Sequence, residues 1–345
     1  MNSHVISAPS AEKDCLGGIM QTRFPLRCRE DGDFRMLCVS DFHLDGERTE
    51  RDPYLKRGLT ALVRHTCPDL VMIAGDVTDG EKGLGSDGAL YEALADTMEV
   101  CEENGIPWAH VPGNHDREEG IPTAVFQRFP HCLSVRGDPR LPGYGTYLLP
   151  VYDENDLPVF CIWAFDSHTN LGRQKADCGL GDPVDLLHMP FGFDRYSGVY
   201  ASQAAWYWDV SEALEQRYGH KIPGVMVMHM PLPEHTLIPS NPTETEMRGE
   251  FGEFCGCASL NAGLFAAAYE RGDIREIVSG HDHFNSFSGT YLGITLSQDA
   301  SIGREGYGRD TVRGGRVIDF HKGGSVTSRH AYLKDLPEKE EVVSQ

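Results

Sequence analysis

Short apolar runs alternate with segments of helical periodicity along the first half of the chain. Residues 35–40, 70–74 and 106–110 have the length and apolar character of buried strands. Between them, residues 52–66 and 89–104 carry apolar side chains at helical spacing. This alternation predicts right-handed crossovers and parallel strands whose carboxyl ends meet at one edge of a sheet.

The second half of the chain is richer in strands and turns. Its pattern predicts strands at 145–149, 159–165, 224–228 and 274–279, helices at 201–218 and 259–271, and hairpin strands within 286–296 and 315–329. Residues 167–200 have no clear period, and we expect a long loop there. No segment resembles a linker between domains, so we predict an α/β fold with a leader over 1–33, a single domain over 34–332 and a charged tail over 333–345.

Five of the predicted strands end in short polar clusters. The clusters are Asp41-Phe42-His43, Gly75-Asp76, Gly113-Asn114-His115-Asp116, His229 and Gly280-His281-Asp282-His283. Each alone has an ordinary explanation, because Asp41 and Asp76 suit helix N-caps and a lone His229 suits a hydrogen-bonded core position. Their coincidence at the carboxyl ends of buried strands favours one shared site. Imidazole, carboxylate and amide groups without thiolate suit a pair of divalent ions such as Mn, Fe or Zn.

The side chains of these clusters suggest different roles. Two metal ions about 3.5–4 Å apart need a shared ligand, and the two oxygens of the Asp76 carboxylate suit that bridge. Asn114 can offer an amide oxygen to a metal, while His115 can donate a proton. Asp116 can fix the tautomer and orientation of the His115 ring.

Taken in order, the motifs resemble the calcineurin-like metallophosphoesterase superfamily, whose pattern is D-x-H, G-D, G-N-H-D/E, H and G-H-x-H. The resemblance covers about residues 34–332. Stretches at 106–108, 229–234, 259–263 and 306–308 resemble the purple-acid-phosphatase-like branch that is related to a yeast cell-cycle phosphatase. This resemblance implies two mixed β-sheets packed as a sandwich and flanked by helices.

The same resemblance implies a role for each motif residue. It places Asp41, His43, Asp76 and His283 on one metal ion, and Asp76, Asn114, His229 and His281 on the other. It places His115 opposite the scissile ester oxygen rather than on a metal. True purple acid phosphatases have a metal-bound tyrosine where this chain has Asp79, and they lack the imidazole of His43. No purple Fe(III)–phenolate chromophore is therefore expected.

The function that the resemblance implies is a binuclear-metal-dependent phosphoesterase, which hydrolyses phosphomonoesters by attack of a metal-activated hydroxide. A phosphodiesterase acting on small or cyclic nucleotide diesters remains an alternative, and so does a catalytically inactive metal-binding module. His168, His235 and Arg304 are candidates for binding substrate, although each also suits an ordinary loop or turn.

The composition limits the expected partners. The 31 basic and 52 acidic residues give a formal net charge of -21, which repels nucleic acid and anionic membrane surfaces. A phosphorylated small molecule or protein is the expected substrate. No apolar run reaches about 18 residues, the first residues lack a signal-peptide pattern, and the 10 cysteines are scattered. These features predict a cytoplasmic location and free thiols, and they leave the oligomeric state open.

Overall fold

The structure, a computed structural model, describes residues 22–44, 51–79, 87–119, 123–169, 196–304 and 307–336. The strands in these ranges are β1 Leu26–Arg27, β2 Phe34–Val39, β3 Leu70–Ile73, β4 Trp108–His110, β5 Tyr147–Tyr152, β6 Pro158–Phe165, β7 Gly224–Met228, β8 Ile274–Ser279, β9 Ser288–Tyr291, β10 Ile294–Gln298, β11 Gly314–His321 and β12 Ser325–Tyr332. The α-helices are α1 Arg51–Thr66, α2 Asp87–Thr97, α3 Glu99–Glu103, α4 Asn114–Glu119, α5 Thr123–Phe126, α6 Ala201–Tyr218, α7 Leu237–Ser240 and α8 Leu264–Arg271. Short 3-10 helices occupy Pro233–Thr236 and Leu333–Asp335.

The strands form two mixed sheets. The five-stranded sheet has the order β12-β11-β2-β3-β4, in which β2, β3 and β4 are parallel. The seven-stranded sheet has the order β1-β5-β6-β7-β8-β10-β9, in which β6, β7, β8 and β10 are parallel. Helices flank the two sheets, so the expected sandwich of two mixed sheets is confirmed. The polar clusters of the sequence follow the carboxyl ends of parallel strands in both sheets.

Both faces of the central strands are buried, and this explains why their sequences are continuously apolar. In β3, Leu70 and Met72 pack in the layer between the sheets, together with Ile162 of the other sheet. Val71 and Ile73 point the other way and pack with side chains of α1 and α2. Successive side chains of a strand alternate between faces, so burial of both faces requires apolar residues at every position.

Several predicted elements have the expected bounds, and two helices differ. The elements α6, β7 and β8 match the predicted segments at 201–218, 224–228 and 274–279. The helix predicted over 89–104 is two helices, because α2 ends at Thr97 and α3 begins at Glu99. The helix predicted over 259–271 begins only at Leu264. The preceding residue, Gly263, has a φ of 80°, and this left-handed conformation interrupts a right-handed helix.

Parts of the predicted leader and of the predicted long loop lie outside the described residues, namely 1–21 and 170–195. Within the predicted leader, Leu26–Arg27 pairs in parallel with β5 at the edge of the seven-stranded sheet. The cysteines in the described ranges are free thiols, in agreement with the prediction from their scattered positions. In the same ranges, no helix has the length and the apolar character that are needed to cross a bilayer.

Candidate metal centre

The five polar clusters meet where the parallel strands of both sheets end. The five-stranded sheet contributes the loops after β2, β3 and β4, and the seven-stranded sheet contributes the loops after β7 and β8. The seven predicted ligands are all buried, and they are Asp41, His43, Asp76, Asn114, His229, His281 and His283. The topology therefore brings together side chains that are up to 242 residues apart in the sequence, from Asp41 to His283.

Two glycines allow these loops to approach each other closely. Gly75 has a φ of +94°, and a Cβ atom there would lie 2.4 Å from Nδ1 of His229. A Cβ atom at Gly113 would lie 2.1 Å from Oδ1 of Asp76. Both distances are far below van der Waals contact, so a larger residue at either position would push the clusters apart.

Four of the predicted ligands have left-handed backbone conformations that residues with a Cβ seldom adopt. The φ angles of Asp41, His43, Asp76 and His281 are 59°, 48°, 51° and 76°. Each such residue costs about 1–3 kcal/mol, and residues of this kind concentrate at functional sites. Hydrogen bonds between the loops hold these conformations, because the His43 amide donates to the Asp76 carbonyl and the His281 amide donates to Asp41 Oδ2.

One group of ligand atoms forms around Asp41. Its Oδ1 lies 3.3 Å from Nε2 of His283 and 3.6 Å from Nε2 of His43. The two imidazole nitrogens are 3.2 Å from each other. Oδ2 of Asp76 lies 3.8 Å from Nε2 of His43, at the side of this group that faces the second one.

The second group forms around the same Asp76 oxygen. Oδ2 of Asp76 lies 3.1 Å from Nε2 of His229, and that nitrogen lies 3.2 Å from Oδ1 of Asn114. Donor atoms of Asp76, His229 and His281 all lie within 4.8 Å of one another. Asp76 Oδ2 thus lies within reach of His43 in the first group and of His229 in the second, which is the position that a bridging ligand requires.

The hydrogen bonds of the imidazoles show that these groups suit cations. Nδ1 of His229 donates to the Ala74 carbonyl at 2.7 Å, and Nδ1 of His283 donates to the Tyr307 carbonyl at 2.7 Å. A carbonyl can only accept, so each Nδ1 carries a proton, and Nε2 is the ring nitrogen that faces the cluster and can bind a cation in place of a proton. Oδ1 of Asp41 is buried and has no hydrogen-bond partner among the described residues. Imidazole nitrogens and carboxylate oxygens that converge in this way are the donor set of divalent transition metals, so the residues fit two divalent ions.

The charges of the buried carboxylates and imidazoles in the cluster act strongly on one another. Burial disfavours the charged form of His229, but the Asp76 carboxylate outweighs burial and raises the pKa of His229 to about 10. Burial, together with the positive charge of His229, lowers the pKa of His281 to about 3. Burial would raise the pKa of Asp41, but the nearby charge of His283 holds that pKa well below its usual value. The two carboxylates therefore remain ionised in a buried site.

His115 lies beside both groups and is half-buried. Its backbone amide donates to Oδ1 of Asp76 at 2.9 Å, and its ring centroid lies 5.0 Å from that of His43. Donor atoms of His43, Asp76 and His115 lie within 4.8 Å of one another. His115 is thus within reach of a group bound at the cluster.

Asp116 has hydrogen bonds that differ from those expected. Its Oδ2 accepts from the Gly113 amide at 2.9 Å, and its Oδ1 accepts from the amide and the hydroxyl of Thr78 at 2.9 and 3.3 Å. Burial, followed by the charge of Asp76, raises the pKa of Asp116 to about 6. The expectation that this carboxylate orients the His115 ring is therefore corrected, because its hydrogen bonds join the loops after β3 and β4.

The structure does not bring the three predicted substrate residues into the ligand groups. His168 is buried and its Nε2 lies 3.3 Å from the side-chain oxygen of Gln203 on α6. His235 is fully buried, and burial lowers its pKa to about 4. Neither ring belongs to the ligand groups, and substrate binding by either residue stays a prediction. Arg304 is partly exposed, and its guanidinium pairs with Asp310 at 2.6 Å.

Sequence reasoning gave no role to several residues that surround the ligands. The Tyr307 ring stacks on His283 with centroids 4.1 Å apart, and the Tyr196 ring lies 4.4 Å from that of His281. A Cβ atom at Gly256 would lie 2.7 Å from the His281 ring. None of these residues belongs to a strand-end motif, so only the fold reveals them. The stretch at 306–308 entered the sequence analysis only as a point of resemblance.

Comparisons with known proteins agree with this site. The family model described as calcineurin-like phosphoesterase matches residues 34–285. A relative from Arabidopsis thaliana, "Probable inactive purple acid phosphatase 14", is 30% identical over 83% of this chain and 75% of its own length. "Phosphatase DCR2" of Saccharomyces cerevisiae is 24% identical over 75% of this chain and 45% of its own length. The crystal structure of a dimetal phosphatase from Danio rerio shares the fold, with a TM-score of 0.52 and 14% identity over 86% of this chain and 98% of that chain. The chain therefore belongs to the calcineurin-like phosphoesterase family.

Proposed function

We propose that this protein is a metal-dependent phosphoesterase and that phosphomonoesters are its substrates. The observation that carries the proposal is the shared position of Asp76 Oδ2. This oxygen lies 3.8 Å from Nε2 of His43 in one ligand group and 3.1 Å from Nε2 of His229 in the other. Two cations that share one carboxylate form a clamp for a phosphoryl group.

The residues of the two groups have distinct tasks in this proposal. Asp41, His43, Asp76 and His283 would hold one ion, and Asp76, Asn114, His229 and His281 would hold the other. When bound, a pair of divalent ions supplies activation of water and neutralisation of charge on the phosphoryl oxygens. The carbonyls of Ala74 and Tyr307 fix the ring orientations of His229 and His283 through their Nδ1 protons.

His115 would transfer a proton to the leaving oxygen. The residue is held at the cluster by its backbone hydrogen bond to Asp76, and its ring is half-buried rather than enclosed. A positioned histidine that protonates a leaving group typically contributes about 10²–10⁴-fold to the rate. The side chain of Asp116 supports this arrangement indirectly, since it holds the loop on which His115 lies.

Two alternatives remain. The first is a phosphodiesterase for small or cyclic nucleotide diesters, because the ligand groups by themselves suit both ester classes. The second is an inactive metal-binding module, which is suggested by the name of the Arabidopsis relative. Against the second, this chain has the seven ligands of the family pattern and His115 assembled at one place.

The test compares hydrolysis of p-nitrophenyl phosphate and bis-p-nitrophenyl phosphate by metal-loaded protein. We expect turnover of both to depend on metal, with a higher kcat/KM for the monoester. Asp76→Asn should abolish activity, whereas Asp209→Asn, an exposed carboxylate on α6, should have no effect. A higher kcat/KM for the diester would establish the first alternative. Stoichiometric metal without turnover of either ester would establish the second.

A further inference from the structure

Two pairs of aromatic side chains lie on neighbouring backbone segments beside the candidate metal centre. We name Phe251, Phe254, Phe284 and Tyr307 the aromatic strip. The Tyr307 ring stacks on His283 with an interplanar angle of 3°, and the Phe284 ring centroid lies 5.2 Å from that of Tyr307. The centroids of Phe251 and Phe254 are 6.5 Å apart. Phe254 is 81% exposed, Tyr307 46% and Phe251 41%, so three of the four rings are open to solvent, while the Arg309 guanidinium lies 4.6 Å from the centroid of Phe284.

Close backbone contacts place Phe254 next to the ligands. Two residues before it, a Cβ atom at Gly252 would lie 2.7 Å from the Cβ of Phe284. Two residues after it, a Cβ atom at Gly256 would lie 2.7 Å from the His281 ring. The loop therefore runs alongside Phe284 and His281, and Phe254 lies between these two contacts in the chain.

Hydrogen bonds fix the loop that carries Phe254. The side chain of Asn285 is fully buried, and its Oδ1 accepts from the amides of Gly252 and Glu253 at 2.8 and 3.1 Å. Its Nδ2 donates to the Glu253 carbonyl at 3.0 Å, and the Glu253 carboxylate accepts from the Phe284 amide at 2.9 Å. A surface that is held in this way loses little conformational entropy when a ligand binds to it.

We infer that the aromatic strip binds a planar aromatic group on the alcohol side of the phosphoester, which names a substrate class for the proposed function and rests on it. Nε2 of His283 faces the ligand cluster, while the face of its ring is covered by Tyr307. The strip adjoins the ligand cluster at His283, so it is within reach of a substituent on a phosphoryl group bound there. Flat rings gain stacking and edge contacts with such side chains that an alkyl chain does not gain.

The test compares kcat/KM for 2-naphthyl phosphate with kcat/KM for phenyl phosphate, because the two leaving groups are similar in acidity and differ in ring area. Phe254→Ala should lower the naphthyl-to-phenyl ratio by roughly 2- to 10-fold, the size of one aromatic pair interaction. Phe254→Trp should restore the ratio or raise it. A second pair, adenosine 5′-monophosphate and ribose 5-phosphate, distinguishes a nucleobase from an aryl group. If Phe254→Ala changes the kcat/KM ratio only for adenosine 5′-monophosphate and ribose 5-phosphate, the strip binds a nucleobase rather than an aryl group.

The matched control is Leu292→Ala. Leu292 is 54% exposed and lies in the turn between β9 and β10. Since β10 runs parallel to β8, this turn is at the opposite end of the strands from His281, and the variant should leave both ratios unchanged.

Equal ratios in wild type and Phe254→Ala for both pairs, with all esters hydrolysed, would overturn this inference alone. A change in oligomeric state of Phe254→Ala without a change in either ratio would overturn it in favour of a second copy on the strip. Failure to hydrolyse any ester would overturn the proposed function and the inference together.

Discussion

Replacement of Asp116 tests whether this carboxylate holds two loops together or orients a catalytic histidine. The two carboxylate oxygens of Asp116 accept hydrogen bonds from the backbone amides of Gly113 and Thr78, and all three residues are buried. In Asp116→Ala both amides lose their acceptor. A buried donor without a partner costs about 1–3 kcal/mol, so we expect the free energy of unfolding to fall by about 2–6 kcal/mol.

The amide variant refines this expectation. In Asp116→Asn one oxygen remains to accept from one of the two amides, while the NH₂ group meets the other amide donor. Only one hydrogen bond is then lost, and we expect a loss of about 1–3 kcal/mol, less than in the alanine variant. The exposed carboxylate of Asp209 on α6 provides the control, because Asp209→Asn should change stability by at most about 0.5 kcal/mol.

The assay is urea unfolding followed by far-UV circular dichroism, with the metal content of each folded variant measured in parallel. The graded order of wild type, Asp116→Asn and Asp116→Ala would support the role in joining the loops after β3 and β4. If Asp116→Asn instead unfolds at the wild-type urea concentration and shows only an altered pH dependence of kcat, the reasoning is refuted. Its carboxylate would then act on the His115 ring.

The remaining predictions concern the bridge, the proton donor and a buried histidine outside the centre. Asp76→Asn should lower the metal content at both positions, whereas Asp41→Asn should chiefly affect one. Elemental analysis measures this, and an equal loss of metal in the two variants would contradict a shared oxygen of Asp76. His115→Ala should keep its metal and lower kcat more for alkyl phosphates than for p-nitrophenyl phosphate, since p-nitrophenol departs without a proton; loss of metal would make His115 a ligand. Burial lowers the pKa of His110 to about 3, so the folded ring stays neutral while the unfolded one takes up a proton below about pH 6.5. Its contribution to stability is therefore complete above that pH and declines below it. His110→Phe should remove about 1.4 kcal/mol per pH unit from the slope of unfolding free energy between pH 5.5 and 4, and equal slopes in urea titrations would count against this.

The sequence alone predicted strands and the polar residues at their ends as candidate ligands, for a local reason. Continuous apolar runs such as 70–74 require burial on both faces, and polar residues directly after them must lie at the sheet edge. Because crossovers between parallel strands are right-handed, residues that follow different strands, such as Asp41 and Asp76, meet at that edge. The two-sheet fold itself came from the resemblance, since the periodicity of the second half predicts strands without saying how they pair.

Only the tertiary structure decided how polar side chains use their hydrogen bonds and which residues reach solvent. Asp116 follows His115 in sequence, yet its oxygens accept from Gly113 and Thr78, because the fold brings the loop after β3 beside it. His235 lies six residues after a ligand, yet it is fully buried. The stack of Tyr307 on His283 joins residues 24 positions apart, and no local pattern encodes such a contact. Ligand type follows from residue chemistry at a strand end, whereas contacts between distant loops depend on the backbone path that packing of the whole chain selects.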